Sequence, residues 1–315
     1  MIDSVNLIIY DIEWIDFRYL RSLGIIIKSK VERHKMYWFK YKNITFKFYP
    51  TKKYLLIMTN TKDILGKKDT TLMDKIIYKE IVLKIIKEIL NTNKRIGIYL
   101  SRIDYVVDVK CDDKEMADTY MDILKCCKTK YKYMKQKRKF KTSMYLKTKS
   151  GQFKLNFYNK YDESKKKEYE NTLRLELQVN YAKLKSERKR NGIPNILDAY
   201  WNVQKMEEIY FEMLKEYAYT GKYYKRKEIN KRIEFSKYKK SYKEKLKKFV
   251  LMISRYGIQG IIDKKIYSRL TIKKYIEMLL QLEINPIPIP EYSTYDELNN
   301  LYDIAVYIAK SKYFK

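Results

Sequence analysis

The chain has 315 residues and a 45% hydrophobic content, enough for two ordinary domains or one large one with a real core. Its formal charge of +31 suits a partner made of phosphates, because each neutralised phosphate releases counterions, although an AT-rich coding sequence would also enrich Lys, Ile, Asn and Tyr together. His34 is the only histidine, which excludes mechanisms needing two imidazoles and leaves carboxylates to hold any metal; no apolar run of about 18 residues offers a membrane span, and Asp3, Asp11 and Glu13 stand where a signal peptide would be basic and then apolar. A soluble, cytoplasmic protein is expected, with Cys111, Cys126 and Cys127 as packing residues, since their spacing fits neither a zinc site nor a disulfide scaffold.

Residues 4–10 (SVNLIIY) and 43–49 (NITFKFY) read as strands, and TKKYLLIMT continues as sheet after Pro50. From Asp69, Met73, Ile77, Ile81, Ile85 and Ile89 step by four among lysines, which predicts an amphipathic helix ending near Asn91. A strand follows over residues 96–110, and Asp112 or Asp113 can cap a helix carrying Met116, Tyr120, Leu124 and Cys127. The basic run 128–141, with Tyr131, Tyr133 and Phe140 among its lysines, suits either a single-stranded DNA track or a solvated hairpin edge.

Residues 143–160 read as a hairpin turning over Lys149, Ser150 and Gly151, and TLRLELQV is a further strand. After the basic segment LKSERKRNGIP the pattern becomes helical, which places a domain boundary near residue 190. Residues 257–283 suggest two short helices and a tight turn; as a helix-turn-helix they would present Arg269, Lys273 and Lys274 to a duplex, though helix pairs are common. Thr294 and Glu297 form a capping box for a last helix.

Side chains alternate along a strand, so three of these strands are apolar on one face and reactive on the other. Arg102, Asp104 and Asp108 share one polar face; Lys154, Asn156, Tyr158 and Lys160 share another; Arg174, Glu176 and Gln178 share a third. In one sheet these would form a phosphoryl-transfer inventory on a single open face: Tyr158 as nucleophile, Lys160, Arg102 and Arg174 to stabilise charge or lower the phenol pKa, and Asp104 and Glu176, with Asp108, as hard oxygen ligands for Mg²⁺ or Mn²⁺. Half-buried antiparallel strands whose Arg and Glu form salt bridges on a wet face would show the same alternation.

The ordered blocks MIDSVNL, SRID at 101–104, FYNK at 157–160, LRLELQVNYAKLKS at 173–186 with GIPNILDAYW, and residues 254–286 resemble the gene II/gene X replication initiators of filamentous phages. The FYNK block is also similar to that of plasmid initiators of the Rep_trans type. The resemblance implies Tyr158 as the nucleophile, Lys160 as its partner and Asp104 and Glu176 as metal ligands, with Asp108 matching the plasmid type better than the phage type. Tyr145, Tyr161 and Tyr169 lie close enough in sequence to serve as a second nucleophile.

The expected architecture is α+β: an open antiparallel sheet with flanking helices in a catalytic nicking domain, residues 1–190, then a mostly helical DNA-binding domain, residues 191–315. The expected activity is rolling-circle initiation, a metal-dependent transesterification that leaves a 5′-phosphotyrosine and a free 3′-hydroxyl. Its partners would be single-stranded and origin DNA and the helicase and polymerase of a bacterial host, with a homodimer as an option. The alternatives are a non-catalytic nucleic-acid-binding regulator, with Tyr158 stacking on a base, and a hydrolytic nuclease using the same carboxylates.

Overall fold

The computed structural model describes residues 1–31, 35–127 and 142–314, together with the backbone of 133–135. Among the described residues ten strands form one antiparallel sheet: β1 (Ile2–Tyr10), β2 (Lys28–Val31), β3 (Lys35–Tyr41), β4 (Ile44–Tyr49), β5 (Tyr54–Asn60), β6 (Tyr99–Lys110), β7 (Tyr133–Lys135), β8 (Ser143–Thr148), β9 (Phe153–Asn159) and β10 (Thr172–Asn180). Their order across the sheet is β2-β3-β4-β5-β1-β6-β10-β9-β8-β7. The fold is α+β, an open antiparallel sheet with flanking helices and a helical C-terminal region. The basic run 128–141 lies outside the described residues apart from the β7 backbone.

One face of the sheet is apolar as alternation requires: Ile103, Tyr105, Val107 and Val109 of β6, Leu155 and Phe157 of β9, and Leu173, Leu175, Leu177 and Val179 of β10 are all buried. Burying each such aliphatic side chain contributes roughly 1.5–3 kcal/mol. The chain beyond residue 190 packs on this face, where Tyr105 donates to the Tyr200 carbonyl at 2.6 Å and Tyr210 donates to that of Leu175 at 3.0 Å. The rings of Phe157 and Tyr217 meet at 5.3 Å, and the same hydrophobic cluster runs through both halves of the chain.

The helix Lys75–Ile89 forms where expected but turns another face inward. Tyr78, Val82, Ile85, Ile86 and Ile89 are buried, while Met73 and Ile77 are exposed. Steps of four overshoot a 3.6-residue turn, so a strict row of fours winds off the core-facing stripe, which must alternate steps of three and four. Tyr78 pins the helix to the sheet through its hydroxyl, 2.5 Å from Thr59 Oγ1. The next helix, Lys114–Cys126, begins as expected, with Asp113 accepting from the Met116 amide at 2.7 Å.

The expected capping box does not form. Thr294 is held by Glu115, which accepts from both its amide and its hydroxyl, while Glu297 pairs in a short ladder with Tyr224. The last helix, Leu301–Ile308, is capped by Asn300 instead. The cysteines form no disulfide, and among the described residues no helix is long and apolar enough to cross a membrane.

The helix pair expected over 257–283 comprises the end of a long helix, Lys240–Asp263, and the helix Arg269–Leu280. Its first member is bent at Gly257, whose φ of 64° and ψ of 169° suit only glycine. A Cβ there would also stand 3.1 Å from the Cys126 carbonyl oxygen. Gly257→Ala is therefore expected to lower stability by about 1–3 kcal/mol, measured as a shift in urea midpoint; an unchanged midpoint would refute the strain. Arg269 is exposed, whereas Lys274 donates to the Tyr242 hydroxyl at 3.0 Å.

Candidate active site

The central strands run β1-β6-β10-β9, and their register brings the predicted residues together. Arg174 stands opposite Asp108 on one side and Tyr158 on the other; Glu176 stands opposite Val106 and Asn156, and Gln178 opposite Asp104 and Lys154. Directly opposed residues share a face, so the alternation read from three separate strands resolves into one surface.

Tyr158 donates through its hydroxyl to Glu176 Oε2 at 3.3 Å. The other oxygen of Glu176 accepts from Asn156 Nδ2 at 2.7 Å and from Gln178 Nε2 at 2.8 Å. Arg102 grips Asp104 with Nε at 2.7 Å and with a second guanidinium nitrogen. Arg174 grips Asp108 the same way, at 2.6 and 2.7 Å, and its remaining nitrogen reaches Asp3 at 3.1 Å.

This face is filled rather than wet. Asp104 is 1% exposed, Arg174 3% and Glu176 7%. Burial pushes the Asp104 carboxyl up to about 7 despite Arg102, with the nearby Glu176 charge adding to the rise. For Asp108 burial works the same way but Arg174 outweighs it, so this acid stays below its ordinary value. The phenol of Tyr158 is raised, by burial first and Glu176 second. The expectation that Lys160 and the arginines depress it is therefore reversed; Arg174 pulls in that direction but burial wins.

Lys160 is not on the strand. β9 ends at Asn159, whose side chain accepts from the Tyr161 and Asp162 amides and so starts the short helix Lys160–Ser164. An Asn before a run of polar residues is a ready helix cap, and it ends the two-residue alternation one position early. The ammonium nevertheless remains beside the nucleophile candidate, 5.7 Å from the Tyr158 ring centre and 5.6 Å from that of Tyr169, while pairing with Glu163 at 2.5 Å. Of the further tyrosines, Tyr145 stacks near Tyr158 with ring centres 6.5 Å apart, and Tyr169 shares Lys160. Tyr161 is 38% exposed and pairs with Lys165 instead.

Asp3 joins this cluster against the alternation rule. Strict alternation would send it toward the core with Val5, but the pairing of β1 with β6 shifts between Ile2 and Ser4. That bulge turns Asp3 to Arg174, and a bulge of this kind has no signature in these residues.

Among the described residues no group of three or more His, Cys, Asp and Glu gathers as a metal site. The donor chemistry still fits a hard divalent cation. Asn156 Oδ1 is buried with no hydrogen-bond partner among the described residues, beside the Glu176 carboxylate. An amide oxygen with the carboxylates of Glu176 and Asp104 is an all-oxygen set of the type Mg²⁺ and Mn²⁺ take. Asp104 and Asp108 each have both oxygens engaged by an arginine, Arg102 and Arg174, so either would have to exchange that pairing for a metal.

The family model for the N-terminal part of a phage replication-associated protein matches residues 58–219, a span that holds Arg102, Asp104, Asp108, Tyr158, Lys160, Arg174 and Glu176. The chain belongs to this family. It is thus of the filamentous-phage rolling-circle initiator type that the SRID, FYNK and LRLELQV blocks resemble. Among solved structures, it is similar to a rolling circle replication initiator protein from Geobacillus stearothermophilus, at 12% identity and a TM-score of 0.38, covering 69% of this chain and 84% of that one. It is also similar to Methanococcus jannaschii TBP, at 10% identity and a TM-score of 0.30, covering 64% of this chain and 98% of that one. No curated protein matches.

Proposed function

We propose that this replication-associated protein nicks and rejoins single-stranded origin DNA by transesterification, with Tyr158 as the nucleophile. The observation that carries the reading is the Tyr158 hydroxyl directed at Glu176 Oε2 at 3.3 Å, on the face that also holds Asp104, Arg102 and Arg174. A phenol with a raised pKa needs a base at the moment of attack, and Glu176 is in hydrogen-bond reach. The bond from Tyr158 Oη to phosphorus forms, the bond from phosphorus to the 3′ oxygen breaks, and the phenolic proton passes to Glu176. The products are a 5′-phosphotyrosine and a 3′-hydroxyl once the departing oxygen takes up a proton; the reverse reaction rejoins the strand.

Asp104, Glu176 and the Asn156 oxygen would hold Mg²⁺ or Mn²⁺, which when bound polarises the scissile phosphate as a Lewis acid. Arg102 and Arg174 offer charge to the phosphate, and Asp108 and Asp3 orient Arg174. Lys160 adds a cation beside the Tyr158 ring. In this reading residues 1–190 carry the chemistry, residues 191–315 supply duplex contacts, and a host helicase and polymerase take over at the new 3′ end. One observation favours the runner-up, a non-catalytic binding protein: Asp104 and Asp108 are each already neutralised by an arginine.

Incubation with a single-stranded DNA library and Mn²⁺, followed by denaturing electrophoresis and peptide mapping, separates the readings. The expected result is a DNA-linked peptide containing residues 153–160, lost with a chelator while binding persists. Cut DNA without an adduct would indicate a hydrolytic nuclease, and binding without cutting the regulator.

A further inference from the structure

The polar face continues past the candidate active site. Ser4 pairs with Asp104, and β1 keeps unbroken register with β5 from Ser4 to Tyr10, so Ser4, Asn6, Ile8 and Tyr10 share that face, while β6 bulges opposite Asn6 and Leu7 and sets Tyr99 opposite Ile8. Tyr10 pairs across to Tyr54, and Tyr54 to Tyr49, whose rings lie 4.6 Å apart. On the other side the Tyr99 ring stands 5.6 Å from that of Tyr10, and the Tyr181 hydroxyl lies 3.5 Å from the Tyr10 hydroxyl. Tyr10, Tyr99 and Tyr181 are 38%, 38% and 42% exposed, unusually open for neighbouring rings.

These three rings line a cleft of about 470 Å³ between β1, the start of β6 and the helix Tyr181–Asn191, with the exposed Arg188 at its wall. Asn195 lines the same cleft. It is 5% exposed, and its side-chain oxygen has no hydrogen-bond partner among the described residues. A buried carbonyl oxygen left unmet is unfavourable, and a donor entering the cleft would relieve it.

We propose that this cleft takes one unpaired base of a single DNA strand, stacked on Tyr10 and Tyr99, with a ring or exocyclic N–H donated to Asn195 and a neighbouring phosphate met by Arg188. This deepens the nicking reading and rests on it in naming single-stranded DNA. A base in a duplex is stacked and paired, so it cannot enter; an unpaired base offers both the π-face and the free edge that these groups fit. The chain's charge of +31 favours a polyanion, and the cleft lies on the same sheet face as Tyr158. The separation along the strands, roughly 30 Å at 3.3 Å per residue, places the subsite several nucleotides from the scissile bond.

The test is binding of labelled oligothymidylate by the full chain in EDTA, so that no strand is cut, followed by fluorescence anisotropy. The double substitution Tyr10→Leu with Tyr99→Leu should weaken binding about tenfold or more, and the corresponding Phe pair should keep most of it. The salt dependence should be the same for the Leu pair as for the wild type, because no phosphate contact is lost. The wild type should bind a base-free sugar-phosphate strand about as weakly as the Leu pair binds oligothymidylate. Equal binding of both strands by the wild type, or full affinity in the Leu pair, would overturn the proposal, as would thymidine monophosphate competing as well as the oligomer. The base-free strand keeps the test valid if the Leu pair folds poorly. Base-dependent binding in EDTA with no covalent adduct in the Mn²⁺ incubation would leave this subsite standing and remove the nicking reading, and an adduct with Mn²⁺ but no base-dependent binding in EDTA would do the reverse.

Discussion

Tyr158→Phe is expected to remove the covalent protein–DNA adduct, with strand cleavage falling by roughly a thousandfold or more while affinity for single-stranded DNA stays nearly unchanged. The substitution deletes one oxygen and keeps the ring that stacks near Tyr145 and lies beside Lys160. Its structural cost is the single hydrogen bond to Glu176, about 1 kcal/mol, so loss of the adduct would report chemistry and not unfolding. Denaturing electrophoresis against wild type, with anisotropy as the binding control, makes the measurement. An adduct that survives would move the nucleophile to Tyr169 or Tyr145, both already near this position. Full cleavage with no adduct in either protein would instead mean that water attacks.

Arg174→Leu carries the largest expected effect on stability. Arg174 is 3% exposed and meets Asp108 twice and Asp3 once. Removing it takes from Asp108 and Asp3 the one cation that hydrogen-bonds both of them in an enclosed place, which costs about 3–5 kcal/mol. Arg174→Leu combined with Asp108→Leu should recover much of that loss, because the unpaired charge and not the missing contact is the main penalty. Urea midpoints at neutral pH test both variants; a double variant as weak as the single one would refute this cause.

The pH dependence of that loss has a definite sign. With Arg174 present, Asp108 is held below its ordinary value, so the pair's stabilisation is complete above the unfolded Asp pKa of about 4 and disappears as pH falls through the depressed folded value. In Arg174→Leu the burial of Asp108 is opposed only by the more distant charges of Lys62 and the N-terminus, so its pKa is expected to rise, the folded state holds its proton longer and stability falls as pH rises above about 4. The difference between wild type and variant should therefore widen from acid toward neutral pH. A constant difference across that range would mean that the lost arginine acts through packing.

The residues proposed to carry the chemistry were legible because a strand has a period of two. Arg102, Asp104 and Asp108, Tyr158 with Asn156, and Arg174 with Glu176 could be assigned to polar faces from their own strands alone, and β6, β9 and β10 lie side by side as that reading requires. Lys160 marks where a local rule overrode the pattern, since Asn159 caps a helix and ends the strand before it. The helix Lys75–Ile89 was legible in place but not in orientation, because rows of three and of four are both apolar in its sequence and the sheet selects between them. The capping role given to Thr294 failed for a similar reason: Glu115, distant in sequence, competes for its donors.

By itself the sequence determined β1, β4, β5, β6, β8, β9 and β10, though not β2 and β3, together with the two faces of β6, β9 and β10, the family blocks and the absence of paired histidines, all properties that local stereochemistry and residue identity decide. Tertiary structure alone decided that Asp3 joins Arg174 through a bulge, that Asp108 is engaged by Arg174, that Asp104 is buried enough to titrate near 7, and that tyrosines 10, 54, 99 and 181 gather at one end of the face. Each depends on register or burial between segments far apart in the chain, and a period of two along one strand carries no information about which residue will stand opposite.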